Sequence, residues 1–168
     1  GANVLLGLSA TPKRRDGLDR VIESHLGGTI FSAEREKVEV DVHLVNTDTS
    51  EYVELYNRRG KVDQVGMITA LTQDEDRNAT IVSIAMRMRH TKVLVLSERR
   101  DHLKGLLDTL LALDCNAGIY IGGMSTSDLE HSEKCDVILG TYSIASVGLD
   151  IRGLNCLILA TPRSDVTQ

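Results

Sequence analysis

The chain is poor in aromatic residues, which make up 3% of it, with no Trp and a single Phe, Phe31. An interior without large rings must be filled by Leu, Ile, Val and Ala, which suits a sheet sandwiched between helices. Cysteine is limited to Cys115, Cys135 and Cys156. No Cys-x-x-Cys or Cys/His spacing suggests zinc, so the three read as buried free thiols of a reducing compartment. No segment approaches the roughly 18 apolar residues that span a bilayer, and no charged-then-apolar leader opens the chain. These absences point to a soluble intracellular protein with no membrane partner. Charge of one sign is also weak: a net charge of −5 gives no global attraction for a polyanion. Cations gather only locally, at Lys13-Arg14-Arg15, from Arg87 to Lys92, and at Arg99-Arg100.

What is present suits one domain of ordinary size. The 168 residues are 42% hydrophobic and 26% charged, enough for a sizeable core under a solvated surface. Asn3 to Leu8 is a short apolar run stopped by Ser-Ala-Thr-Pro and reads as a buried parallel strand. Leu18, Val21, Ile22 and Leu26 recur at helical spacing before Gly27-Gly28. Val38 to Val45 alternates as a strand does, and a polar, mostly helical stretch follows to His90. Within it, Ile81, Ile84, Ala85 and Met88 share one helical face. The pattern then becomes regular: strands at Lys92 to Leu96, Ala117 to Ile121, Asp136 to Leu139 and Cys156 to Leu159. Helices lie between them at Arg99 to Leu113, with Leu103, Leu106, Leu107 and Leu110 inward, and at Ser125 to His131. Strands alternating with helices predict βαβ units, hence an α/β fold with a mostly parallel central sheet flanked by helices.

In such a sheet, ligands collect where the strands end. There the sequence places Ser9-Ala10-Thr11-Pro12, Ser97-Glu98-Arg99-Arg100, Gly122-Gly123-Met124-Ser125 and Gly140-Thr141-Tyr142-Ser143. Small hydroxyls, glycines and amides that open helices suit phosphate oxygens. Each one alone is usually a plain helix cap, but four on one sheet edge point to a polyanion.

These segments carry a family resemblance. Leu6 to Leu18, with Ser9-Ala10-Thr11-Pro12, resembles motif III of the superfamily 2 helicases, in the branch of the xeroderma-type repair helicases and the helicases of large DNA viruses. Leu94 to Arg100 resembles motif IV, and Gly140 to Asp150 resembles motif V. Leu159 to Gln168 resembles the strand leading into motif VI. The resemblance spans nearly the whole chain in order, and it implies a RecA-like, P-loop-NTPase-like helicase C-terminal domain. It further implies that residues 1–32 are the end of a first RecA-like lobe and its linker, and 33–168 the second lobe.

Residue by residue, the resemblance gives Ser9, Thr11 and Gln168 coupling roles between ATP site and nucleic-acid groove. It puts Gly148 and Asp150 against nucleotide across the cleft, and sets Ser97, Arg99, Gly122, Gly123, Thr141 and Ser143 along the sugar-phosphate backbone. Such contacts position a strand without reading its sequence, and the lack of aromatics argues against base stacking. No metal site is expected. ATP and Mg²⁺ belong to the full-length parent, because the chain has no G-x-x-x-x-G-K-[ST] loop. Asp74-Glu75-Asp76 falls in a helical polar stretch after motif III, not at a strand end, and is rejected as the magnesium acid. Without cradle, metal acid and arginine fingers, the fragment alone should not hydrolyse ATP. The expected partners are a DNA or RNA backbone and the N-terminal RecA-like lobe of the same protein. Two alternatives stay open: a non-catalytic nucleic-acid-binding module of helicase fold, and a translocase subunit without unwinding.

Overall fold

The computed structural model describes residues 4–9, 17–33, 39–47, 54–145 and 151–163. The chain divides into two compact units, Gly1–Leu44 and Val45–Gln168.

The larger unit is organised around four apolar runs that pair in parallel. β1 (Val93–Ser97), β2 (Ala117–Tyr120), β3 (Val137–Thr141) and β4 (Cys156–Leu159) form one sheet in the order β2-β3-β1-β4. All three pairings are parallel, with Ser97 opposite Thr141 and Leu96 opposite Leu159. β1 and β3 are buried throughout, as expected of strands covered on both faces. Their side chains alternate between two cores. Val93, Val95, Val137 and Leu139 face Ile81, Val82, Ala85, Leu103, Leu106 and Leu110. Leu94, Leu96 and Ile138 face Cys135, Tyr142 and Ile151.

The first of those cores is closed by α3 (Glu75–Met88) and α4 (Arg100–Ala112). Asp63 caps α2 (Gln64–Gln73) by accepting the Gly66 amide, and Asp74 caps α3 by accepting the Arg77 amide. The acidic triplet at 74–76 thus begins a helix, where a carboxylate meets unpaired amides. On α3 the buried positions are Ile81, Val82 and Ala85, while Met88 stands at the exposed edge. On the other face lie α5 (Thr126–Glu133), capped by Ser125, and the short α6 (Tyr142–Ala145), which follows β3 without a break. Cys115 and Cys135 are buried free thiols, and Cys156 is a half-buried one. Among the described residues no helix is long and apolar enough to cross a membrane.

In the smaller unit the expected helix forms as α1 (Asp19–Leu26), closed by Gly27 at φ 82° with its amide on the Glu23 carbonyl. Its two expected strands do not form. Residues 4–9 and 39–44 carry no ladder, and Val4, Leu5, Leu6, Leu8, Val40, Val42 and Leu44 are exposed. A strand is made by its neighbour, and neither segment has one among the described residues.

Candidate functional site

The register of the sheet determines which loops share an edge. Ser97 and Thr141 end adjacent strands opposite each other, Gly122-Gly123 follows β2, and Ala160-Thr161 follows β4. Four of the loops that the sequence singles out or leads into therefore open at the carboxyl edge of one parallel sheet, where doubly wound folds bind ligands.

Ser97 is completely buried, and its hydroxyl is fully used. Its Oγ accepts the Arg99 amide at 3.1 Å and lies 3.0 Å from His102 Nδ1. His102 Nε2 lies 2.8 Å from Asn78 Oδ1, and Asn78 Nδ2 donates to the Thr72 carbonyl at 2.9 Å. Burial pushes the His102 pKa down to about 4, helped by the nearby charge of Arg77. The ring is therefore neutral near pH 7. With Asn78 Oδ1 able only to accept, Nε2–H donates to it, and Nδ1 receives the Ser97 hydroxyl. The chain Arg99–Ser97–His102–Asn78–Thr72 thus ties the end of β1 to the starts of α4 and α3 and the end of α2.

The other expected residues are more open. Arg99 is half-buried and reaches the Val65 carbonyl at 3.3 Å. Gly122 and Gly123 are exposed, and Gly123 holds φ 93°, a left-handed turn that favours glycine. Arg100 Nη2 donates to the Gly122 carbonyl at 2.9 Å. Thr141 is buried, with its hydroxyl 3.1 Å from that of the exposed Ser143. Ser9 is exposed in the smaller unit. Thr11, Gly148, Asp150 and Gln168 lie outside the described residues. The structure thus gathers Ser97, Arg99, Gly122, Gly123, Thr141 and Ser143 on one edge.

Several contacts at this edge join residues that sequence patterning does not connect. Arg77 donates to the Ala160 carbonyl from α3. The Tyr142 hydroxyl donates to the Thr161 carbonyl at 2.6 Å, and the Glu98 amide donates to Thr161 Oγ1 at 2.9 Å. Arg163 stacks its guanidinium 5.2 Å from the centre of the Tyr142 ring. Burial lowers the Arg77 pKa, against the opposing pull of Asp74 and Tyr142. Burial also raises that of the Tyr142 phenol. His102 had a readable signal, a polar residue in the Leu103-Leu106-Leu110 stripe. Arg77 had none, because its partner lies 83 residues away.

A parallel sheet between helical layers, with hydroxyls and glycines at its carboxyl edge, defines an α/β domain of the nucleotide-fold type. No family model matches the chain. It is 34% identical over 175 residues to a protein of Acanthamoeba polyphaga mimivirus provisionally named an ATP-dependent RNA helicase, covering 98% of this chain and 34% of that protein. It is 29% identical over 147 residues to a provisionally named helicase of Frog virus 3, covering 87% and 33% of the two chains. With an African swine fever virus protein provisionally named an ATP-dependent RNA helicase, identity is 27% over 190 residues, covering 95% and 36%. The chain therefore spans about a third of the length of these relatives. The crystal structure of T4 UvsW shares its fold, with a TM-score of 0.50 and 21% identity over 61% of this chain and 22% of that one. Over nearly its whole length the chain is thus similar to a segment of proteins named as helicases in large DNA viruses, and its parallel sheet flanked by helices is a RecA-like α/β fold.

Proposed function

We propose that the full protein is an ATP-dependent helicase or translocase of DNA or RNA, soluble and intracellular, and that this segment supplies the lobe that grips the nucleic-acid backbone. The observation that carries this reading is the shared edge: Arg99, the Gly122-Gly123 turn, Thr141 and Ser143 meet at the carboxyl ends of parallel strands. Arg99 and Ser143 offer a cation and a hydroxyl to phosphate oxygens, and the exposed glycine turn allows a backbone to approach closely. Ser97, its hydroxyl already used, acts by holding the Arg99 amide. Residues 1–32 then belong to the end of the first lobe, and 33–168 to the second.

ATP and Mg²⁺ would be held mainly outside this segment, whose sequence has no phosphate-cradling lysine loop. No group of three or more His, Cys, Asp or Glu suited to a metal ion occurs among the described residues. Gly148 and Asp150 are assigned to the nucleotide across the cleft, and Ser9, Thr11 and Gln168 to coupling. The segment alone should be inactive and should need the N-terminal lobe of its own protein. Two measurements test the reading. Full-length protein should hydrolyse ATP faster in the presence of single strands, and the segment should bind single strands with an affinity that falls steeply with salt. A flat salt series would remove the phosphate-contact role of Arg99, Thr141 and Ser143.

A further inference from the structure

The stretch that leaves β4 is held more tightly than a loop needs to be. Ala160 and Thr161 are both buried, and the Ala160 amide extends the sheet by one more bond, to the Leu96 carbonyl at 2.8 Å. Beyond that bond, three different parts of the lobe converge on these two residues. Arg77 comes from α3, the Glu98 amide from the loop after β1, and Tyr142 from the start of α6, directly after β3. Arg163, two residues on, folds back over the Tyr142 ring.

Arg77 is the unusual member of the set. A guanidinium is costly to bury, and here its Nη1 is buried with no acceptor among the described residues. The Asp74 carboxylate accepts the Arg77 backbone amide and offsets part of the cost of burying its charge. Its neighbour Asn78 joins the His102–Ser97 chain that holds the end of β1. Arg77-Asn78 in the first turn of α3 thus grips two strand ends at once, β4 directly and β1 through His102.

We propose that Arg77 is a positioning residue: it clamps the exit of β4 at Ala160-Thr161 against the loop after β1 and the start of α6, so that the three strand ends move as one body. The proposal rests on the helicase reading above for its consequence, and on geometry alone for the clamp. If the parent is a motor, its steps are transmitted through this edge. Loosening one loop against the others would then cost turnover more than it costs binding.

The test uses the full-length protein with Arg77→Ala, Arg77→Lys and Tyr142→Phe. Amide hydrogen exchange should speed up at Glu98, Ala160, Thr161 and Arg163 in Arg77→Ala and in Tyr142→Phe, with β1 and β3 still protected. Nucleic-acid-stimulated kcat should fall about 10- to 100-fold in Arg77→Ala, while the KM for ATP and strand affinity stay within about threefold. Arg77→Lys should recover part of both, because one amine can still reach the Ala160 carbonyl. Unchanged exchange at Ala160, Thr161 and Arg163 overturns the clamp. Exchange that rises evenly over the whole sheet, with a lowered melting temperature, reduces Arg77 to a stability residue and also overturns it. Selective loosening with unchanged kcat overturns the link to turnover. A wild-type protein without ATPase activity counts against the helicase reading, and the clamp is then judged on exchange alone.

Discussion

Two stretches of this chain are almost the same word. Val4-Leu5-Leu6-Gly7-Leu8-Ser9 opens the smaller unit, and Val93-Leu94-Val95-Leu96-Ser97 is the central strand of the larger one. In the second, every residue is at most 5% exposed and pairs with β3, and Val93 to Leu96 pair with β4 as well. In the first, Val4 is 82% and Leu8 88% exposed, and no ladder forms. Its nearest packing is local: a Cβ on Gly7 would stand 2.5 Å from the Leu26 side chain of α1. Apolarity and a terminal serine are therefore not what makes a strand. A ladder partner is.

The sharpest way to break this comparison is to place a charge in each stretch. Val95→Asp should cost more than about 4 kcal/mol, enough to unfold a marginal domain, because a carboxylate would be buried without a partner. Leu6→Asp should shift stability by less than about 0.5 kcal/mol, as surface changes do. Urea denaturation of the two variants reads both, and similar losses would erase the distinction drawn between the stretches.

Cavities should follow the same division. Leu103→Ala, in the core between α4 and the sheet, should cost about 2–5 kcal/mol. Leu26→Ala on α1, where no residue is buried, should cost less than about 1 kcal/mol.

Acid should act on the larger unit through His102. Its pKa of about 4 in the fold lies below the ordinary 6.5, so the unfolded chain takes up the proton first as pH falls. The contribution of the neutral ring is therefore complete above about pH 6.5, declines as pH falls toward 4, and is constant below that. Denaturation midpoints of the wild type and His102→Gln between pH 7 and 4 should converge with falling pH. A constant difference across that window would show that the ring is not held neutral.

The smallest effect concerns helix starts. α3 begins on a capping Asp74, whereas α1 begins on Leu18 with no side-chain cap bond. Asp74→Ala should cost about 1 kcal/mol, and Leu18→Ala should show no comparable loss of a cap, measured by the same denaturant series.

Much of the larger unit could be read from the sequence because its signals are local. The strands appeared within a residue or two of where they form, since runs such as Val137-Ile138-Leu139 are apolar on both faces and end in turn residues. The inward leucines of α4 followed from their spacing. The face shared by Ile81, Ile84, Ala85 and Met88 is buried at Ile81 and Ala85 but exposed at Met88, and the contact takes in Val82 as well, because a helical stripe gives a direction but not the width of the contact. At the candidate site, the hydroxyls and glycines were legible as strand-ending residues. Their states were not: Ser97 as a spent hydroxyl and Thr141 as a buried one depend on His102, Ser143 and the neighbouring strands.

The sequence by itself determined that strands and helices alternate, which segments end in Ser, Thr or Gly, and hence that a parallel sheet would display them along one edge. These follow from periodicity and turn chemistry within a few residues. Only the tertiary structure decided the strand order β2-β3-β1-β4, the neutral His102, and the hold of Arg77 and Tyr142 on the exit of β4. The physical reason is the one the two matching stretches illustrate. Ladder bonds, burial and the pKa of a ring depend on groups tens of residues away, and nothing in the local sequence says which of them will arrive.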